Sequence, residues 1–155
     1  MALPRTLHLA ACLALAFLPG VIGSQFPPDA WYGGLVKPAL TPPGWVFPVA
    51  WTILYATIGV ALHVFLVQTP PSARRGPLVA FGVQLVGNAL WSWLFFGLHA
   101  PGAALVEIGL LWAAILATIL AFSRTSPTAA LLLVPYLAWV SFATYLNAAI
   151  WYGNV

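Results

Sequence analysis

Three polar side chains, Gln84, Asn88 and Ser92, recur at strict intervals of four within an otherwise apolar run. That spacing places all three on one face of a helix. Amides in hydrocarbon are costly unless paired, so this face points toward other protein. Two roles fit Asn88 equally well: hydrogen bonding between helices, as intramembrane amides do, or lining a ligand site. For Gln84 the interhelical bond is the favoured reading. Trp91, Trp93, Phe95 and Phe96 crowd the end of the same run. Tryptophan at a helix end anchors first of all at the membrane interface, but Trp91 lies close to the polar stripe and is expected to face inward.

Aromatic residues repeat with helical spacing elsewhere. Trp51 and Tyr55 are four apart, with Gly59 and His63 continuing near their face. Pro135, Tyr136, Trp139, Ala143 and Asn147 recur at threes and fours, and the small Ala138 and Ala143 would let a neighbour or a flat ligand approach Trp139. Aromatic walls with a few amides suit a planar, largely apolar ligand, although an aromatic stripe also serves plain packing. Glu107 is the one acid within an apolar run. It is a functional candidate by position, and a structural role, bonded to a neighbouring helix or snorkelling from the helix end, is the favoured reading. His63 and His99 lie in different regions without a cysteine or carboxylate at ligand spacing, and His8 has no evident partner, so no metal site is inferred. Gly-rich phosphate loops, catalytic triads and metalloprotease helices are absent from the sequence.

Composition dictates what must position these residues. The 155 residues are 63% hydrophobic and 5% charged, with a mean hydropathy of +0.99. A soluble domain is about one quarter charged, so this chain could not cover a surface facing water. It reads as an integral membrane protein with membrane lipid around it. Spanning elements must be helices or a closed barrel, and long apolar runs without period-two alternation select helices. Five basic and two acidic residues give a net charge of +3, too sparse for a nucleic-acid surface. The single Cys12 excludes an intramolecular disulfide.

The expected architecture is all-α, one domain over residues 1–155, a bundle of five transmembrane helices near residues 6–23, 44–68, 78–98, 103–122 and 128–151. The first run competes with a cleaved signal peptide, since Arg5 precedes it and Gly20, Gly23 and Ser24 end it, and Leu9-Ala10-Ala11-Cys12 even resembles a lipoprotein cleavage box. A retained helix is the favoured reading, because about 20 residues fit the bilayer core. With five spans, Arg5, Arg74, Arg75 and Arg124 share one side and Lys37 stands alone on the other. The positive-inside tendency then puts the amino terminus in the cytoplasm of a bacterial-type inner membrane. No internal repeat supports an inverted-repeat transporter.

Between the first two runs lies a stretch rich in proline and glycine, with Pro38, Pro42, Pro43 and Gly44 leading into Trp45, Phe47 and Pro48. Each proline fixes its φ and restricts its predecessor, so the loop is expected to be rigid and to act as the lid of a pocket. Pro48 suits the first turn of the helix that follows.

The run Trp31-Tyr32…Lys37-Pro38…Pro42-Pro43-Gly44-Trp45-Val46-Phe47-Pro48…Ala50-Trp51-Thr52…Tyr55 resembles the signature of the tryptophan-rich sensory protein/translocator protein family, formerly the peripheral benzodiazepine receptors. Gln84-Leu85…Asn88…Trp91-Ser92, Phe95-Phe96-Gly97 and Pro135-Tyr136…Trp139…Phe142-Ala143…Leu146-Asn147 agree with it in order. The resemblance implies a five-helix bundle, commonly a homodimer, that binds porphyrins such as protoporphyrin IX or haem and requires no other cofactor. Some members bind isoquinoline-type drugs or cholesterol, and bacterial members are associated with stress and light sensing and with tetrapyrrole regulation.

Carried over by position, the implied pocket takes Tyr32 and Pro43 from the loop, with Trp51, Tyr55, Asn88, Trp139 and Ala143 from the helices; Trp91 joins it on the stripe argument. Trp51 and Trp139 resemble the tryptophans implicated in porphyrin photochemistry, which makes them the candidates for any catalysis. The expected function is a membrane receptor or sensor for tetrapyrroles or another flat apolar molecule. A light-dependent protoporphyrin-degrading enzyme and a porphyrin or lipid carrier are the alternatives. Ala39-Leu40 and Gly44 depart from the family where aromatics and arginine often stand, which weakens the loop's grip on a propionate-bearing ligand. Tyr152-Gly153-Asn154-Val155 lacks the basic residue of the cholesterol motif, so high cholesterol affinity is not expected.

Overall fold

A computed structural model describes residues 4–155. Helix α1 spans Arg5–Gly23, a short α2 spans Ala30–Gly34, and α3 spans Val46–Gln68. Helix α4 covers Arg75–Ser92 and runs into a π-helical turn over Trp93–Gly97, followed by α5 at Pro101–Ser123, α6 at Pro127–Leu132 and α7 at Val134–Gly153. Counting α4 with its π turn and α6 with α7, five helices are long and apolar enough to cross a membrane. Among the described residues there is no strand. The chain is a multi-pass integral membrane protein.

Prolines set most of the helix starts. Pro101 and Pro127 open α5 and α6, where a missing amide proton leaves nothing unpaired. Pro48 occupies the first turn of α3. Pro135 divides the last span: a proline cannot donate to the carbonyl four residues back and its ring collides with it, so the helix breaks at Leu133 and restarts as α7. That break turns Tyr136 fully inward.

Helix α1 packs on α3 and α4, and α5 lies against α4, α6 and α7. Glycines permit the closest approaches. A Cβ at Gly59 would meet Leu13 Cα at 2.8 Å, and one at Gly20 would meet the Tyr55 ring at 2.6 Å. Small residues at such crossings let two backbones approach within van der Waals range. At one end of the bundle, Phe65 and Phe122 stack with centroids 3.9 Å apart. The same end gathers the connections after α3 and α5: Thr69 and Thr125 hydroxyls pair at 2.8 Å, Ser126 donates to Gln68, and Arg74 donates to the carbonyls of Leu66 and Thr69.

The proline-rich segment contains an element its composition did not suggest, the helix α2. Asp29 creates it by accepting the Tyr32 amide at its N-cap. The segment is then tied down twice. Asp29 pairs with His99 at 3.0 Å, and the Val36 backbone exchanges two hydrogen bonds with the Asn154 side chain at 2.9 and 3.0 Å.

Candidate aromatic site

Asn88 is the hub of the interior. Its Oδ1 accepts from the Tyr55 hydroxyl at 2.8 Å and its Nδ2 donates to the Tyr136 hydroxyl at 2.9 Å, so one amide joins α3, α4 and α7. All three side chains are buried. The face predicted from the spacing of four therefore does point inward. Interhelical bonding, one of the two roles open to Asn88, is realised here.

Around this hub the aromatic residues assemble as one group. Trp51 stacks on Tyr55 at 5.3 Å, meets Tyr136 edge-on at 6.2 Å and meets Trp139 edge-on at 6.5 Å. Ala143 packs against the same core. Phe47 touches Trp139 at 6.1 Å and so carries the end of the proline-rich segment to the group. Beside Trp139 an apolar groove of about 460 Å³ opens on the surface of the bundle, lined by Ala50, Ile53, Leu54, Pro135, Ala138 and Phe142.

Tyr32 and Pro43 stand apart from that group, and Trp91 packs between it and a second cluster. Trp91 faces inward as its position predicts, donating to Asn147 Oδ1 at 2.9 Å and stacking on Phe95 at 5.0 Å. Asn147 in turn donates to the Pro101 carbonyl, tying α7 to the start of α5. Tyr32 lies with Phe95 and Phe96, and Lys37 Nζ sits 4.5 Å above its ring. Burial pushes the Tyr32 hydroxyl above its ordinary range. Pro43 is exposed, its carbonyl accepting the Val46 amide ahead of α3. The segment thus reaches two neighbouring aromatic clusters, one through Phe47 and one through Tyr32, with Trp91 packed against both.

Spacing does not reach every contact. The recurrence of Tyr136 with Trp139 marks its face but not its hydrogen bond to Asn88. Phe95, at the end of the run that carries Asn88, is buried within the π-helical turn. His99 follows with a φ of 51°, uncommon for a residue with a side chain, and stacks on Trp31 at 4.3 Å. No periodicity predicts either feature.

Three expectations need correction. Gln84 makes no interhelical bond: it is 1% exposed, and neither amide atom has a partner. Glu107 does not snorkel, being buried with Oε2 unpaired and Oε1 against Gly87. His8 does have a partner, with its Nδ1 2.8 Å from His63 Nδ1. The sequence separation of 55 residues hides a contact that the crossing at Gly59 creates. Trp139 Nε1 is also buried without a partner.

Comparison with known proteins agrees with this architecture. The sequence model of the TspO/MBR family matches residues 8–152. The chain is 48% identical over 150 residues to the tryptophan-rich protein TspO of Chlorobaculum tepidum, covering 94% of this chain and 95% of that protein. It is 40% identical to the tryptophan-rich sensory protein of Cereibacter sphaeroides, covering 90% and 84% of the two chains. It is 39% identical to the human translocator protein, covering 80% and 75%.

Proposed function

The chain belongs to the TspO/MBR family, and on that premise we propose that it is a membrane receptor or sensor whose ligand is a porphyrin or related tetrapyrrole. The observation that carries this reading is the convergence of Trp51, Tyr55, Tyr136 and Trp139 on Asn88. Large aromatic faces bind a flat macrocycle by stacking and dispersion, and a few polar groups fix its orientation. Unpaired buried groups add a second support. Leaving a buried donor or acceptor unmatched costs about 1–3 kcal/mol, so a ligand with polar edges gains by pairing Trp139 Nε1 or Gln84. The apolar groove beside Trp139 is the access route in this reading, opening from the lipid where such ligands dissolve. The proposal includes a homodimer, and an amino terminus on the cytoplasmic side with the basic connections.

Titrating the purified protein with protoporphyrin IX in the dark tests the reading. Saturable tryptophan quenching, weakened by Trp139→Phe and by Asn88→Ala and followed by a stable spectrum in light, supports a binder. Turnover to a new chromophore under light and oxygen would instead make it a degrading enzyme. Flux into proteoliposomes would make it a carrier. Quenching that fails to saturate removes tetrapyrroles as the ligand class.

A further inference from the structure

At the end of the bundle where α1 begins, two helical turns beyond Tyr55 on α3, three metal-ligating side chains meet. His8 and Cys12 are four residues apart on α1 and share a face. His63 comes from α3. Their ligand atoms all lie within 4.8 Å of one another. The two imidazoles face each other through Nδ1 at 2.8 Å, with ring centroids 4.9 Å apart and planes tilted by 55°. Cys12 is 4% exposed. The placement is built into the helix crossing: one turn before His63, Gly59 lies so close to α1 that a Cβ would meet Leu13 Cα at 2.8 Å and the Cys12 carbonyl at 3.2 Å.

We infer that His8, Cys12 and His63 form a three-coordinate site for a monovalent soft metal ion, Cu(I). Thiolate selects soft ions such as Cu(I), and imidazole is a borderline ligand that suits copper as well. With bonds of about 2.0–2.3 Å, a trigonal ion holds its ligand atoms about 3.5–3.8 Å apart, so the two Nδ1 atoms, now 2.8 Å apart, must part slightly to admit it. Charge decides between ions. One thiolate and Cu(I) sum to zero, which suits an apolar surrounding where net charge is costly. A divalent zinc ion would leave a charge of +1 and seek a fourth ligand. Neither acid supplies one, since Asp29 pairs with His99 and Glu107 lies against Gly87.

Binding is a ligand exchange without redox change. The Cys12 S–H bond breaks, a Cu–S bond forms, and the thiol proton leaves to solvent. The histidine that donates in the Nδ1–Nδ1 hydrogen bond carries its proton on Nε2 instead, so both Nδ1 lone pairs reach the ion. One proton is released for each Cu(I) bound.

The test is anaerobic titration of the purified full chain in detergent with Cu(I) held by a chromophoric chelator, followed by X-ray absorption of the loaded protein. One equivalent should bind, with a near-ultraviolet thiolate-to-copper band and a shell of one sulfur and two nitrogens. Loss of an outer-shell partner alone weakens metal sites about 10- to 100-fold, so Cys12→Ser and His63→Gln should each weaken binding by at least about 100-fold. His99→Gln should match the unaltered chain. A shell without sulfur in the unaltered protein overturns the proposal whether or not the variants fold. Affinities in both variants within about threefold of the unaltered chain, or displacement of Cu(I) by equimolar Zn(II), overturn it too.

Discussion

Trp51 and Trp139 meet edge to face, with ring centroids 6.5 Å apart and planes at 86°. A sandwiched macrocycle needs two near-parallel rings, each about 3.5 Å from the ligand plane, as carbon atoms at optimal contact are. The pair as packed offers no such slot. Trp51 is held by its stack on Tyr55, whereas Trp139 borders the apolar surface groove. A macrocycle in the proposed pocket would therefore turn Trp139 while Trp51 stays on Tyr55.

Removal of the Trp139 indole should weaken protoporphyrin binding about tenfold, since an aromatic contact contributes about 0.5–1.5 kcal/mol beyond its area. Trp51→Phe should weaken it comparably while also loosening Tyr55. The exposed Trp45 is the control, and Trp45→Phe should leave the dissociation constant within about twofold, the span of a few tenths of a kcal/mol. Equal constants for all three variants by quenching titration would place the ligand elsewhere.

The amide hub predicts a stability order. Asn88→Ala strands the Tyr55 and Tyr136 hydroxyls inside the bundle, and two unmatched groups at about 1–3 kcal/mol each put the loss at roughly 2–6 kcal/mol. Tyr136→Phe strands only Asn88 Nδ2 and should cost about 1–3 kcal/mol. A double-mutant cycle in detergent unfolding should show strong coupling between the two positions. Additive losses would mean that the hydrogen bond contributes nothing.

How far the sequence displays all this depends on the kind of signal. Low charge and long apolar runs announce five helical spans, because the bilayer permits little else. The stripe through Gln84, Asn88 and Ser92 announces an inward face, because its period is that of the helix. Contacts that depend on how helices cross are not local in sequence. Tyr136 closing on Asn88 needs the break before Pro135, and His8 meeting His63 needs the approach at Gly59. Gln84 shows the converse limit: periodicity gives the direction of a side chain and not whether a partner waits there.

Glycine substitutions separate packing from propensity. Gly82 and Gly109 have open space around a new Cβ, so alanine there should be neutral or stabilise by about 0.5–1 kcal/mol through helix propensity. Gly59→Ala drives its methyl into Leu13 Cα, a backbone atom that cannot yield, and should cost about 1–3 kcal/mol. Gly20→Ala strikes the Tyr55 ring instead, so it should also weaken the Tyr55–Asn88 bond and protoporphyrin binding. Thermal unfolding and ligand titration of the four variants check the order, and a harmless Gly59→Ala would refute the tight crossing.

Acid should loosen the segment between α1 and α3. The Tyr32 amide holds the Asp29 carboxyl below its ordinary range; burial opposes it, and His99 adds to the lowering. A depressed folded value means that the contribution is complete above the ordinary carboxylate range and is lost as pH falls through the depressed value, below about pH 4. Protonation removes the ion pair with His99 and weakens the N-cap of α2. Amide hydrogen exchange of Ala30–Gly34, corrected for its intrinsic pH dependence, should therefore stay slow at pH 6 and quicken near pH 3. Asn is as good an N-cap as Asp but does not titrate, so Asp29→Asn should show protection without that acid transition. Asp29→Ala, lacking both cap and charge, should exchange fast at either pH. Wild-type protection that persists unchanged to pH 3 would mean that the Val36–Asn154 tie holds the segment without Asp29.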